Sequence, residues 1–141
     1  MKENITSEEK REILTDLVGR LVYRPKAAIL NGIFDHSVET VTGYAGRFVV
    51  TLNTEYDVDR VRLFLRPMSS MTEEELGEYE AENDIDVADS SLALKLNMEA
   101  KKRVYISSWH HGVDWLNARH FDYRGLIERG LALEAPEGMY A

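Results

Sequence analysis

The stretch Val-Arg-Leu-Phe-Leu-Arg-Pro at 61–67 is the part of the sequence that most directly decides the fold. Val61, Leu63 and Leu65 alternate with Arg62, Phe64 and Arg66. This period of two predicts a strand with one face on the core and one face in water. Pro67 ends the strand, because proline cannot donate a backbone hydrogen bond to a neighbouring strand.

Three stretches upstream of this strand also predict strands: 27–30, 38–42 and 48–52. Glycine-containing or polar segments separate them, as expected of turns. Short strands at this spacing predict a compact antiparallel sheet or a small SH3-like barrel over residues 22–67.

Helices are predicted on both sides of the β-rich part. Residues 6–21 begin with Thr6 and Glu9, which have the spacing of a capping box, and continue with apolar residues at helical intervals. Residues 72–83 repeat the signal with Thr72 and Glu75, and their few apolar residues favour a surface position.

The rest of the chain is predicted to be mainly helical. Good helix formers between residues 93 and 102 favour a helix, although the leucines there alternate as in a strand. Val104–Ile106 is predicted to be a short extended piece, and a helical tail is predicted over 109–134. In that tail Asp122 caps a short helix at 123–129. The expected architecture is one α+β domain over 1–141, with a helix at 1–21, a β-rich part at 22–67 and a mainly helical part at 71–141.

Composition restricts the function classes. The 141 residues include no cysteine, which excludes disulfides and thiolate metal sites. The net charge of −8 disfavours nucleic acid as a partner overall, because an acidic surface repels phosphate. Neither a signal peptide nor a membrane-spanning apolar run is recognised, so we expect a cytoplasmic location and no membrane partner.

The segment 109–115, Trp-His-His-Gly-Val-Asp-Trp, is the densest polar and aromatic cluster in the sequence. On a helix His110 and Asp114 share a face and His111 is three residues from Asp114, so the three side chains are candidate ligands for zinc or a similar ion. A small metal-dependent hydrolase is therefore an alternative function. We favour an exposed His110–Asp114 pair with aromatic packing, and we expect no cofactor.

Two other histidines and an acidic run have competing interpretations. His120 lies on the apolar face of the predicted tail helix, which favours a hydrogen-bonded core residue over a ligand. His36 follows Asp35 and is interpreted as part of a turn rather than as a general base. Asp84, Asp86 and Asp89 depart from the calcium-loop pattern, which favours a solvated acidic face.

Three arginines lie in or next to the alternating stretch. Arg60, Arg62 and Arg66 have the charge to contact nucleic-acid phosphate, which gives a further alternative function for the β-rich half. They are also close in sequence to the acidic residues that follow. We favour ion pairs between these two segments.

Three segments carry a resemblance: Leu-Val-Tyr-Arg-Pro-Lys at 21–26, Leu-Arg-Pro-Met-Ser-Ser-Met-Thr-Glu-Glu-Glu at 65–75, and the tail at 114–140. They resemble uncharacterised phage and prophage proteins of gut Bacteroidetes. The resemblance implies a short accessory protein encoded in a mobile element, and it implies no activity, cofactor or catalytic residue.

The first functional hypothesis is a non-enzymatic module that binds another protein of unknown identity. Its predicted surface consists of Trp109, Trp115, Tyr123 and Arg124, because aromatic and arginine side chains dominate interface energies. Arg124 is expected to enter an acidic pocket or to stack on Trp115 or Tyr123.

Overall fold

The computed structural model describes residues 2–32, 35–83, 94–97, 103–106 and 109–140. It describes side chains at 2–32, 35–79 and 112–140. Within these residues, the α-helices are α1 (Ser7–Val18), α2 (Glu73–Asn83) and α3 (Trp109–Ala118). The strands are β1 (Lys26–Leu30), β2 (His36–Ala45), β3 (Phe48–Thr51), β4 (Glu55–Asp57), β5 (Val61–Pro67), β6 (Leu94–Asn97), β7 (Arg103–Ile106), β8 (Phe121–Asp122) and β9 (Ala132–Glu134).

The helix starts follow the predicted capping chemistry. The Thr6 hydroxyl accepts from the backbone N–H of Glu9, and the Glu9 carboxylate accepts from the backbone N–H of Thr6. Thr72 and Glu75 make the same reciprocal pair before α2. These bonds satisfy N–H groups that a helix leaves without internal partners.

Seven of the strands form one mixed sheet. The order β4-β3-β2-β1-β5 is antiparallel throughout, and β8 and β9 both pair parallel to β5. The α+β class with an N-terminal helix is confirmed. The sheet is not closed, so the SH3-like barrel offered as one possibility is wrong.

Strand β5 lies inside the sheet, with β1 on one edge and β8 and β9 on the other. The prediction that one of its faces meets water is wrong. Arg62 is fully buried and Phe64 is only 5% exposed. The second face is covered because residues from outside the strand pack there: Arg62 donates to the carbonyl of Lys2, and the Phe64 ring contacts His36.

Two groups of buried apolar residues stabilise the molecule. One group lies between α1 and the sheet and includes Ile13, Leu17 and Leu63. The other joins α2, α3 and β8 around Tyr79 and Trp115. Each fully buried side chain of this size contributes about 1.5–3 kcal/mol relative to an exposed one.

Three helix predictions in the second half are wrong. The tail predicted to be helical over 109–134 is an α-helix only in α3, and it contains the strands β8 and β9. Residues 94–97 are a strand paired antiparallel with 103–106, so the alternation of leucines was the better signal than helix propensity. The extended piece at 104–106 is confirmed as part of β7. Residues 123–129 form turns instead of a helix, because Gly125 adopts a φ of +74° that interrupts helical geometry.

No helix among the described residues has the length and apolar character needed to cross a lipid bilayer.

Candidate binding surface around Tyr123 and Arg124

A buried ion pair lies at the end of α1. The Arg20 guanidinium donates to the Asp16 carboxylate through Nε at 2.8 Å and through Nη2 at 3.0 Å, and neither side chain is exposed. Arg20 Nη2 also donates to the carbonyl of Phe121 at 2.7 Å. Removing either partner of such a pair would leave a charge buried without compensation, so the pair fixes the end of α1 against β8.

Arg124 joins this pair from the other side. Its Nε donates to Asp16 Oδ1 at 3.1 Å, while 39% of its side chain is exposed. Its guanidinium carbon lies 5.3 Å from the centre of the Tyr123 ring, and that of Arg20 lies 5.2 Å from the same centre. Arg124 therefore contacts one acidic side chain, which it shares with Arg20, and lies beside the Tyr123 ring, one of the stacking partners that the sequence suggested. Arg124 is held in one orientation at the surface.

The segment that carries Tyr123 and Arg124 is fixed by two further contacts. The Asp122 carboxylate accepts from the backbone N–H groups of Leu126 at 3.0 Å and Ile127 at 2.9 Å. Arg129 pairs with Glu12 on α1 at 2.5 Å. The surface consisting of Tyr123 and Arg124, with Asp16 and Arg20 beneath it, is called the arginine surface below.

Trp115, the third described member of the predicted surface, is a core residue. It is 4% exposed, meets Tyr79 edge-on at 5.1 Å between ring centres and stacks on Phe121 at 6.1 Å. The Arg119 guanidinium covers it at 4.0 Å. Trp115 is therefore unavailable as an exposed anchor. Trp109 begins α3, and its side chain lies outside the described side chains.

The predicted metal ligands are only partly described. Asp114 accepts a hydrogen bond of 2.6 Å from the Tyr23 hydroxyl, which raises the pKa of that tyrosine. His110 and His111 lie in α3, and their side chains are outside the described set. Within the described set, no group of three or more His, Asp or Glu side chains is placed to hold a metal ion. A metal site at 110, 111 and 114 stays a prediction.

His120 is buried, as predicted, but it follows α3 instead of lying within it. Its φ is +63° and its ring stacks on Tyr140 with 3.5 Å between ring centres. Its Nδ1 has no hydrogen-bond partner within the described part of the chain, contrary to the expected hydrogen-bonded side chain. Burial first, and then the charges of Arg20 and Arg66, lower the pKa of His120 to about 4.

The three arginines around β5 are all engaged. Arg66 makes a bidentate pair with Glu75 at 2.7 and 2.8 Å, as the predicted pairing with the acidic segment requires. Arg60 donates instead to the carbonyl of Leu30, and Arg62 to backbone carbonyls including that of Lys2. These guanidinium groups bind the fold itself, which leaves the nucleic-acid alternative without support from their geometry.

His36 begins β2 and packs against Phe64, so it belongs to a strand instead of a turn. The residues of the proposed calcium loop, Asp84, Asp86 and Asp89, lie outside the described residues.

An open cleft of about 400 Å³ lies between the end of β5 and the C-terminal segment. Arg66, Ser70, Glu134 and Tyr140 contribute to its lining. The charge of Arg66 is already paired with Glu75, and the Tyr140 hydroxyl is bound to backbone groups of Lys26 and Phe64. The other charged groups of its lining are the carboxylates of Glu134 and Glu137.

Asp16 and Arg20 are the members of the arginine surface that sequence analysis missed. Their spacing of four residues is that of a helical ion pair, which was the available signal. That spacing is equally common on exposed faces, so the partner that buries the pair, residues 121–124, could not be inferred from it.

Comparison of the chain with protein-family models, with curated proteins and with solved structures finds no match.

Proposed function

We propose that this protein is a non-enzymatic protein-binding module that uses the arginine surface as part of its contact area. The supporting observation is the fixed orientation of Arg124, which is partly exposed yet bound by Asp16 and packed on Tyr123. Interfaces favour arginine and aromatic anchors, and an anchor held in place before binding loses less conformational entropy.

The proposal includes the mobile-element origin implied by the resemblance at 21–26, 65–75 and 114–140. We further propose that such an accessory protein acts through contacts with other products of the same element. The candidate partners to examine first are therefore the proteins encoded beside this one.

The test is site-specific photo-crosslinking. A photoreactive phenylalanine analogue replaces Tyr123, and each neighbouring gene product is co-expressed in turn. We expect a discrete crosslinked heterodimer that disappears when Arg124 is also changed to Ala. The matched control places the same analogue at Leu52, which is 69% exposed in the segment between β3 and β4.

The proposal is wrong if no neighbouring product crosslinks at position 123, or if crosslinking at positions 52 and 123 is equal. Circular dichroism of each variant must first show unchanged secondary structure, so that loss of crosslinking reports on the surface. A second variant, Arg124→Lys, preserves the charge and should retain part of the yield.

A further inference from the structure

We propose that the arginine surface recognises a carboxylate on an acidic segment of the protein partner. This inference rests on the proposed function and adds the chemistry of the partner. Three features of the described residues support it: the number of charges at Asp16, the guanidinium N–H groups without a hydrogen-bond partner, and the small number of cations at the site.

At Asp16, two guanidinium groups share one carboxylate. Asp16 Oδ1 accepts from both Arg20 Nη2 and Arg124 Nε, so one carboxylate serves two guanidinium groups. The third contact of Arg20 is to the carbonyl of Phe121, which carries no net charge. The adjacent Arg129 is already balanced by Glu12. Within the described part of the chain, the Asp122 carboxylate of the same segment accepts from backbone N–H groups and not from a guanidinium, so the excess positive charge is local to Asp16, Arg20 and Arg124.

The site also has unused donors. Arg20 Nη1 has no hydrogen-bond partner among the described residues, but Arg20 is fully buried, so the donors open to a partner are those of Arg124. Arg124 uses Nε for Asp16, and among the described residues neither of its Nη groups has a hydrogen-bond partner. A guanidinium binds a carboxylate through paired N–H groups, and such charge-assisted bonds are among the stronger hydrogen bonds in proteins.

The small number of cations at the site favours a carboxylate over a nucleic-acid backbone. Nucleic-acid binding requires several cations in a row, because affinity grows with the number of phosphates neutralised. Arg60, Arg62 and Arg66 are engaged with the fold, and only one excess charge is present at Asp16. The Tyr123 ring adds an apolar contact beside the charge, as interfaces between proteins commonly do.

The experiment is an NMR titration of the full chain with N-acetylated, C-amidated hexaglutamate. We expect saturable shifts of the Arg124 Nε–Hε signal and of the Tyr123 backbone amide. Arg124→Gln should weaken binding about tenfold, the loss expected when one charge-assisted contact is removed. The matched control is Arg47→Gln, which removes an exposed, ion-paired arginine between β2 and β3 and should leave the affinity within about twofold.

Two further probes separate the alternatives. Hexalysine should cause no shift at Tyr123, and an oligothymidylate should bind more weakly than hexaglutamate. The inference is overturned if hexaglutamate leaves these signals unchanged, if Arg47→Gln weakens binding as much as Arg124→Gln, or if the oligothymidylate binds more tightly.

The NMR titration and the crosslinking experiment test the two proposals separately. A partner that crosslinks at position 123 without hexaglutamate binding would preserve the proposed function and disprove the carboxylate. Hexaglutamate binding that depends on Arg124 without any crosslinked partner would support the carboxylate site and count against the proposed function.

Discussion

At the scale of single residues, the burial of His120 makes stability depend on pH. The charged groups that face its ring are Arg20 and Arg66, and Tyr140 stacks on it. Its pKa is lowered to about 4 from 6.5. The unfolded chain therefore binds more protons between these two values, and the free energy of unfolding falls as the pH falls through that window.

We expect the wild-type protein to lose roughly 2 kcal/mol between pH 7 and pH 5 through this residue. His120→Asn should lose less than half of that, because asparagine does not titrate and tolerates a positive φ. Urea denaturation of both proteins at the two pH values measures the difference. Equal losses would show that His120 does not carry the effect. Glu39 and Glu75, whose pKa values are lowered by hydrogen bonds, contribute in a more acidic range.

At the scale of elements, Glu75 attaches α2 to the sheet. It caps the helix by accepting from the N–H of Thr72, and it holds both terminal nitrogens of Arg66. Glu75→Ala removes the cap and leaves a half-buried guanidinium with fewer partners. We expect it to lower the free energy of unfolding by about 1–2 kcal/mol.

The matched control for this prediction is Glu74→Ala. Glu74 is exposed in the same first turn, and a surface change of this kind costs within about 0.5 kcal/mol. Chemical denaturation of both variants compares them. Similar losses would mean that helix-dipole charge, and not the link to Arg66, accounts for the role of Glu75.

The elements also differ in how well the sequence predicted them. The starts of α1 and α2 were predictable because Thr6–Glu9 and Thr72–Glu75 contact each other within one helical turn. Burial of Arg62 was not, because it depends on the carbonyl of Lys2, 60 residues away. The parallel pairing of β9 with β5 has no local signature at all.

Sequence analysis also predicted contacts between neighbouring residues of the candidate surface and missed those between distant residues. The stacking of Arg124 on Tyr123 joins adjacent residues and was one of the predicted contacts. The contribution of Asp16 comes from 108 positions upstream and was not predicted. Trp115 was included in the predicted surface because aromatic residues anchor protein interfaces. The sequence of its helix does not show that Tyr79, Phe121 and Arg119 cover it.

At the scale of the whole molecule, Gly130 lets two distant segments meet. Its φ is +75°, and its carbonyl accepts from the backbone N–H of Lys2 at 3.0 Å. A Cβ at this position would lie 2.8 Å from that backbone nitrogen. Gly130→Ala therefore combines backbone strain with a collision against the main chain of residue 2.

Gly138→Ala is the control that isolates the collision. Gly138 also has a positive φ, of +83°, but a Cβ there would meet nothing within 4 Å. We expect about 1 kcal/mol of destabilisation from strain in both variants and a clearly larger loss in Gly130→Ala. Thermal unfolding measures both. Equal melting temperatures would show that the segment around Lys2 moves away without cost.

The ion pair of Asp16 and Arg20 has a consequence for synthesis on the ribosome. Both side chains belong to the beginning of the chain, yet the carbonyl of Phe121 and the guanidinium of Arg124 complete their environment. Until residues 121–124 have left the ribosome, burying the charges of Asp16 and Arg20 would cost free energy, so these side chains stay in water. The N-terminal half therefore acquires its final packing only after residues 121–124 have been synthesised.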